Sequence, residues 1–186
     1  MPKRKAERSQ KGEAAMREPV SDAIRNMIHF YTKQSQVPLH DISHFMKVWG
    51  FSRAIGLAEG LSPETLQTLE LAAIVHDIAC PLCRKKYGNT NGRAQEAEGE
   101  SLAREFYDGF GLSEKCLQRV VWLVAHHHTY EKTDGPDYQI LLEADFLVNA
   151  EESQMSRAAI ASFRDRVFRT ETGLRMLRQM YLPEEG

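Results

Sequence analysis

The chain has 186 residues, of which 42% are apolar and 27% charged, and its net charge is −2. That length suits a single domain with a real hydrophobic core, and the near-neutral charge gives no reason to expect nucleic acid or a membrane as the main partner. Because the chain lacks both an apolar run near the roughly 20 residues of a bilayer span and the apolar core of a secretory signal, we expect a cytoplasmic protein.

Residues 1–18 form a basic segment with almost no large apolar side chain. Six Lys or Arg stand there against three Glu. Such a composition cannot bury enough surface to offset the entropy lost on ordering, so we predict a flexible tail before a single domain at residues 19–186. A basic tail could contact nucleic acid or could simply be solvated.

The first three predicted helices are separated by clear breaks. Ser21 suits the N-cap of a first helix, and a second helix is expected from about Asp41 to about Glu59. Ser62 and Pro63 start a third helix in the expected way, with a capping hydroxyl followed by proline in the first turn.

The later part of the chain also predicts helices, and no stretch has the alternating pattern of a strand. In chain order, the predictions are an ordered loop at 79–93 and helices at about 94–108, from Ser113 to His128, around 140–147 and within 151–182. We therefore expect an all-α bundle of about six to eight helices.

The three cysteines are too few, and odd in number, for a disulfide framework. Cys80 and Cys83 have the CxxC spacing of a redox pair or of half a zinc site. A zinc ribbon needs a second pair, and a thioredoxin-like site needs a preceding strand. The only other cysteine is Cys116 and a helix precedes the pair, so the pattern argues against both roles.

The third helix delivers an adjacent His and Asp at the end of an unbroken apolar run. The run covers residues 71–75, and His76 and Asp77 follow it directly. Burying both side chains there is costly unless something compensates, and a divalent metal does so because imidazole and carboxylate are both good ligands. A surface His-Asp pair at a helix end is the alternative.

Three other predicted helices also bring His or Asp to an apolar face. His44 lies beside the buried stripe of the second helix, and Asp145 lies within the apolar run of the sixth. If the fifth helix persists, about 100° per residue turns His128 inward with His127 beside it, whereas His126 faces outward. Mixed imidazole and carboxylate ligands suit Mn, Fe, Ni, Co or Zn better than Ca.

This order of His, His-Asp, His and Asp on successive helices resembles the HD-domain superfamily of metal-dependent phosphohydrolases. The matching segments are HFMKV from His44, LAAIVHDIA, VAHHHTY and LLEADFLV. The resemblance spans about residues 40–150.

The resemblance implies an HD-type helical bundle that holds one or two divalent metal ions, with Mg among the options. Its core ligands would be His44, His76, Asp77 and Asp145. Relatives with two ions use two further histidines. In some relatives one of these histidines corresponds to His128. In others, which have a His-His pair, the pair corresponds to His127 and His128.

The remaining histidine of two-metal relatives is absent from this chain. Its position falls within Gln95–Gly99, where Glu96 could stand in as a ligand. The sequence therefore leaves one ion and two ions both open.

The resemblance also implies hydrolysis of a phosphate ester, of a nucleotide or a similar small molecule, by metal-activated water. Asp77 would bind metal and share in proton transfer. Lys47 stands where relatives commonly have an arginine and would offer its charge to a phosphate. Arg84 and Lys85 could reach the mouth of the same site, where Arg84 would bind a phosphate through two N–H groups and Lys85 as a point charge. Alternatively, this basic run is a solvated loop.

Two other classes of function remain open. Some proteins with this fold are di-iron oxygenases, which require a full set of six metal ligands. The missing histidine near Gly99 counts against that class. In a non-catalytic module, the metal would be structural or a nucleotide would only be sensed.

Overall fold

A computed structural model of the protein describes residues 18–131 and 133–183. Within these ranges the chain forms nine helices and no strand, so the all-α class is confirmed. The helices are α1 (Pro19–Gln34), α2 (Pro38–Ala58), α3 (Pro63–Val75), α4 (Cys80–Tyr87), α5 (Gly92–Phe106), α6 (Glu114–Val124), α7 (Pro136–Glu152), α8 (Arg157–Val167) and α9 (Glu171–Tyr181). The predicted basic tail lies outside the described residues, apart from Glu18.

Local capping explains most of the helix starts. The Ser62 hydroxyl accepts a hydrogen bond from the Thr65 amide at 3.2 Å, and Ser113 caps α6 in the same way, as predicted. The prediction of Ser21 as the first cap is wrong. Pro19 already occupies the first turn of α1, where its fixed φ favours helix, and Glu18 precedes it without a side-chain cap.

The predicted loop at 79–93 contains the short helix α4, which is a second correction. Pro81 lies in its first turn, where a proline needs no amide hydrogen. Gly88 ends the helix with a left-handed φ of 72°, and its amide donates to the Arg84 carbonyl at 3.0 Å. The proline and glycine that suggested a loop are thus the two ends of a helix.

Helix α3 is the centre of the bundle and packs against α1, α2, α6 and α7. Every residue from 68 to 76 is buried. The helical region Pro63–Tyr87 is long and apolar enough to cross a membrane by length and composition alone, contrary to the expectation that no apolar run approaches that length. Because 83% of its most apolar stretch is buried inside the protein, it has the character of a core helix.

A buried carboxylate fastens the connection between α8 and α9 to the side of α7. Glu143 accepts hydrogen bonds from the Gln139 amide at 2.6 Å and from the backbone amides of Arg169 and Thr170 at 2.6 and 3.0 Å. It also accepts one from the Thr170 hydroxyl. Burial raises the pKa of Glu143, and these donors oppose that shift.

We expect Gly173→Ala to lower the free energy of unfolding by about 1–3 kcal/mol. A Cβ at Gly173 would overlap the Glu143 carboxylate, whose donors hold it in place. The matched control is Gly50→Ala in α2, where a Cβ meets nothing within 4 Å. There we expect a gain of roughly 0.5–1 kcal/mol, because alanine favours helix. Urea denaturation measures both, and equal stability of the Gly173→Ala and wild-type proteins would contradict this packing.

Candidate metal centre

Three side chains from α2, α7 and the end of α3 converge beside the core. His44 Nε2 lies 3.1 Å from His76 Nε2 and 3.3 Å from Asp145 Oδ1. His76 Nε2 lies 3.4 Å from the same Asp145 oxygen. The ligand atoms of this group are close enough to share one metal ion.

Asp77 lies between this group and a second one. Its Oδ2 is 3.5 Å from His44 Nε2 and 3.7 Å from His76 Nε2. Its Oδ1 is 3.4 Å from His127 Nε2. Asp77, His127 and His128 form a second set of side chains that could hold an ion, so the Asp77 carboxylate can contribute to either position.

The backbone fixes the tautomers of two of the histidines. His76 Nδ1 donates to the Ala73 carbonyl at 2.8 Å, and His127 Nδ1 donates to the Val124 carbonyl at 2.7 Å. A carbonyl oxygen only accepts, so the hydrogen of the neutral imidazole is on Nδ1 and the lone pair is on Nε2. Both lone pairs therefore face the carboxylates.

Side chains, rather than the backbone, position His44 and Asp145. His44 Nδ1 donates to Glu152 Oε2 at 2.8 Å, which leaves Nε2 facing the centre. The Asn149 amide donates to Asp145 Oδ1 at 2.8 Å. Asn149 and Glu152 lie one and two helical turns after Asp145, so α7 supports the cluster along one face.

The electrostatics of the cluster fit a divalent cation. Burial alone would lower the pKa of His44, but its contacts with Asp145 and Glu152 outweigh that effect and raise the pKa to about 11. Burial would raise the pKa of Asp77, whereas His76 and His127 hold it well below its usual range. The carboxylates of Asp77, Asp145 and Glu152 thus stabilise positive charge within the cluster.

Two histidine nitrogens without hydrogen-bond partners are also consistent with a metal site. Among the described residues, the buried Nε2 atoms of His127 and His128 have no hydrogen-bond partner. A buried polar atom without a partner is costly, and coordination would satisfy a neutral imidazole nitrogen. The donor set therefore suits the transition metals expected from the sequence.

The helical phase used for the histidine triplet does not apply, because α6 ends at Val124 and residues 125–128 form a turn. His127 is consequently the innermost of the three at 0% exposure, and His128 is half-buried. His126 stacks on the Trp122 ring with centroids 4.1 Å apart, and it belongs to neither candidate group.

Glu96 anchors that turn through one carboxylate oxygen, Oε1. It accepts hydrogen bonds from the His128 amide and the Thr129 hydroxyl, both at 3.0 Å. Neither candidate group includes it, contrary to its suggested role as a substitute ligand. Gly92 makes this arrangement possible, because a Cβ there would lie 2.8 Å from His128 Cγ.

Lys47 does not point a free charge at the centre. Its ammonium donates to Glu152 Oε1 at 3.0 Å and to Glu151 Oε2 at 3.4 Å. The prediction of Lys47 as a phosphate ligand overlooked these two acids, which lie at the end of α7, more than a hundred residues later.

Arg84 and Lys85 lie on different faces of α4 and line different cavities. Arg84 forms a bidentate pair with buried Asp41, at 2.6 and 2.8 Å, in the wall of the cavity above the cluster. Lys85 instead lines a separate cavity of about 480 Å³ beside Phe30 and Phe106, so the structure does not bring it to the site. Successive residues of a helix point about 100° apart, which explains the separation.

A cavity of about 310 Å³ opens over the cluster. Its wall also contains polar side chains that were not predicted from the sequence, namely His40, Thr90, Gln95, Asn149, Glu152 and Ser153. His40 lies one helical turn from His44, and Asn149 lies one turn from Asp145. The helical periodicity of α2 and α7 could therefore have identified both residues as neighbours of the site.

The CxxC cysteines belong to neither candidate group of ligands. Cys80 and Cys83 are both buried and free, and the Cys80 thiol donates to Gln95 Oε1 at 3.3 Å. Burial raises the pKa of both thiols, which disfavours the thiolate that redox and metal chemistry require.

Comparisons with known proteins identify the family and the fold. The model of a family described as HD domain matches residues 41–170. The fold is similar to the crystal structure of a predicted HD superfamily hydrolase from an uncultured Thermotogales bacterium, with a TM-score of 0.63 and 23% identity over 87% of this chain and 84% of that chain. No protein with a curated description is significantly similar to the sequence.

Proposed function

The chain belongs to the HD-domain family, and from that membership we propose that it is a metal-dependent phosphohydrolase acting on a phosphate ester of a nucleotide or a similar small molecule. The observation that carries the proposal is the convergence of four imidazoles with Asp77 and Asp145, beside a cavity lined by His44, His128 and both carboxylates. The proposal includes a cytoplasmic location, a small phosphorylated partner and a single domain at residues 19–186.

The residues divide naturally between two ion positions. His44, His76 and Asp145 would hold one ion, and His127 and His128 would hold a second, with Asp77 between them. When bound, a divalent ion supplies Lewis acidity to the phosphoryl group and lowers the pKa of water from 15.7 towards roughly 7. Asp77 lies between the groups, where its carboxylate would orient water and accept a proton.

Substrate contacts would come from the wall of the cavity. Among the described residues, Arg84 is the one Lys or Arg side chain in that wall, and Asp41 keeps its planar fork oriented. Asn149 and Ser153 add neutral hydrogen-bonding groups. With one arginine and no lysine there, most of the charge of a phosphate would be met by the ions and Arg84.

The test is phosphate release by protein stripped of metal and then loaded separately with Mn, Fe, Co, Ni, Zn or Mg. The substrates are p-nitrophenyl phosphate and a panel of nucleoside monophosphates. We expect turnover with at least one metal and none with the stripped protein. Full metal occupancy without phosphate release from any ester would contradict the proposal.

Iron analysis, visible spectra and nucleotide-binding measurements on the same samples identify the other two classes. About two irons per chain with an oxygen-dependent spectral change would indicate an oxygenase. Tight nucleotide binding without turnover under every metal would indicate a non-catalytic module. Either result would replace the phosphohydrolase assignment.

A further inference from the structure

We infer that Glu152 is a positioning residue that fixes the orientation of the His44 ring for metal binding, an inference that rests on the proposed metal centre. Its carboxylate accepts the hydrogen of His44 Nδ1 at 2.8 Å, across 108 residues of sequence. No motif that suggested the site includes Glu152.

The other buried histidines of the cluster do not depend on a side chain in this way. His76 and His127 donate to carbonyls of the Ala73 and Val124 backbone, three residues before each of them. Those bonds form with almost any sequence that adopts the same turns. The orientation of His44, in contrast, depends on one replaceable side chain.

The geometry of Glu152 suits this role. Its side chain is 15% exposed, and its two oxygens have different partners. Oε2 accepts from His44, and Oε1 accepts from Lys47 at 3.0 Å. Because both donors lie on the same face of α2, one carboxylate locks α2 to the end of α7 while it sets the ring.

The charge of Glu152 adds to its orienting effect. Burial would raise the pKa of Glu152, whereas its hydrogen bonds with His44 and Lys47 lower it. A carboxylate that accepts the outer N–H of a metal-binding imidazole makes the other ring nitrogen a stronger metal ligand. Lys47 therefore contributes by holding this carboxylate, a role different from the phosphate contact expected from the sequence.

The test compares metal-free wild-type protein with the Glu152→Gln and Glu151→Gln variants. Calorimetric titration with Co²⁺ measures the affinity, and the visible spectrum reports the ligand geometry. We expect Glu152→Gln to weaken binding about 10- to 100-fold, the usual effect of losing an outer partner of a metal ligand, and to alter the spectrum.

Glu151→Gln is the matched control. Glu151 is the adjacent carboxylate, its side chain is 68% exposed, and it contacts Lys47 but not His44. The variant removes the same charge from the same helix end, so we expect its affinity to change by less than about threefold, as for an exposed ion pair.

A second measurement reads the ring directly. In ¹⁵N spectra of the metal-free proteins, Glu152→Gln should shift the Nδ1 resonance of His44 and leave those of His76 and His127 in place. If that variant does not fold, Glu152→Asp withdraws the carboxylate by one methylene, and it should weaken binding in the same way.

The outcomes separate this inference from the proposed function. Equal Co²⁺ affinity and spectrum in wild type and the Glu152 variants would overturn the positioning role and leave the metal centre standing. Equal losses in the Glu151 and Glu152 variants would also overturn it, since the effect would then be one of charge alone. Wild-type protein that binds no divalent ion would overturn the proposed function and this inference together.

Discussion

Replacing Asp77 with asparagine is expected to remove metal binding and to lower phosphate release at least about a thousandfold, more than the 10- to 100-fold typical of residues that only support a ligand. Asp77 has one oxygen near His44 and His76 and the other near His127. The amide of asparagine keeps the volume but loses the negative charge. Elemental analysis of the protein and the initial rate of phosphate release measure the two effects.

The Asp77→Asn variant should still fold, because it removes one negative charge from a cluster that also contains Asp145. The control is Asp165→Asn, which changes an exposed residue of α8 beside Arg164. That variant should keep both metal and activity. Unchanged metal content and turnover in Asp77→Asn would exclude Asp77 from the centre.

Metal loading is expected to stabilise the fold by about 2.7 kcal/mol when the free ion is at a hundred times its dissociation constant. For a chain of this length that corresponds to a rise in Tm of roughly 5–11 °C. The reason is that α2, α7 and the end of α3 supply the donors, and only the folded chain brings these elements together. Thermal unfolding with Mn²⁺, and then with a chelator, measures the difference.

The same measurement on Asp77→Asn should show almost no rise in Tm. This comparison separates ions bound at the cluster from ions bound elsewhere on the protein. A Tm that is the same with and without metal, in protein shown to contain the ion, would mean that the ion does not join these helices.

Features fixed by neighbouring residues were predictable from the sequence. Ser62 and Ser113 each cap a helix through an amide three residues later. The meeting of His44, His76, Asp77 and Asp145 also followed from local patterns, because each of them stands out in an apolar stretch that has to be buried.

Features that depend on distant partners were not predictable. The turn after Val124 is held by Glu96 and by the Tyr138 hydroxyl, which donates to the His126 carbonyl at 2.7 Å. Those contacts exchange the expected depths of His127 and His128. The partner of Lys47 was equally hidden, because Glu152 lies on another helix.

The hydrogen bond between His44 and Glu152 has a consequence for the order of events during synthesis. The two residues are 108 positions apart, and α7 is made long after α2 and α3. A nascent chain that stops before α7 contains His44, His76 and Asp77 but neither Asp145 nor the carboxylate that orients His44. The group of His44, His76 and Asp145 is therefore complete only after α7 has been made, whereas Asp77, His127 and His128 all precede α7 in the chain.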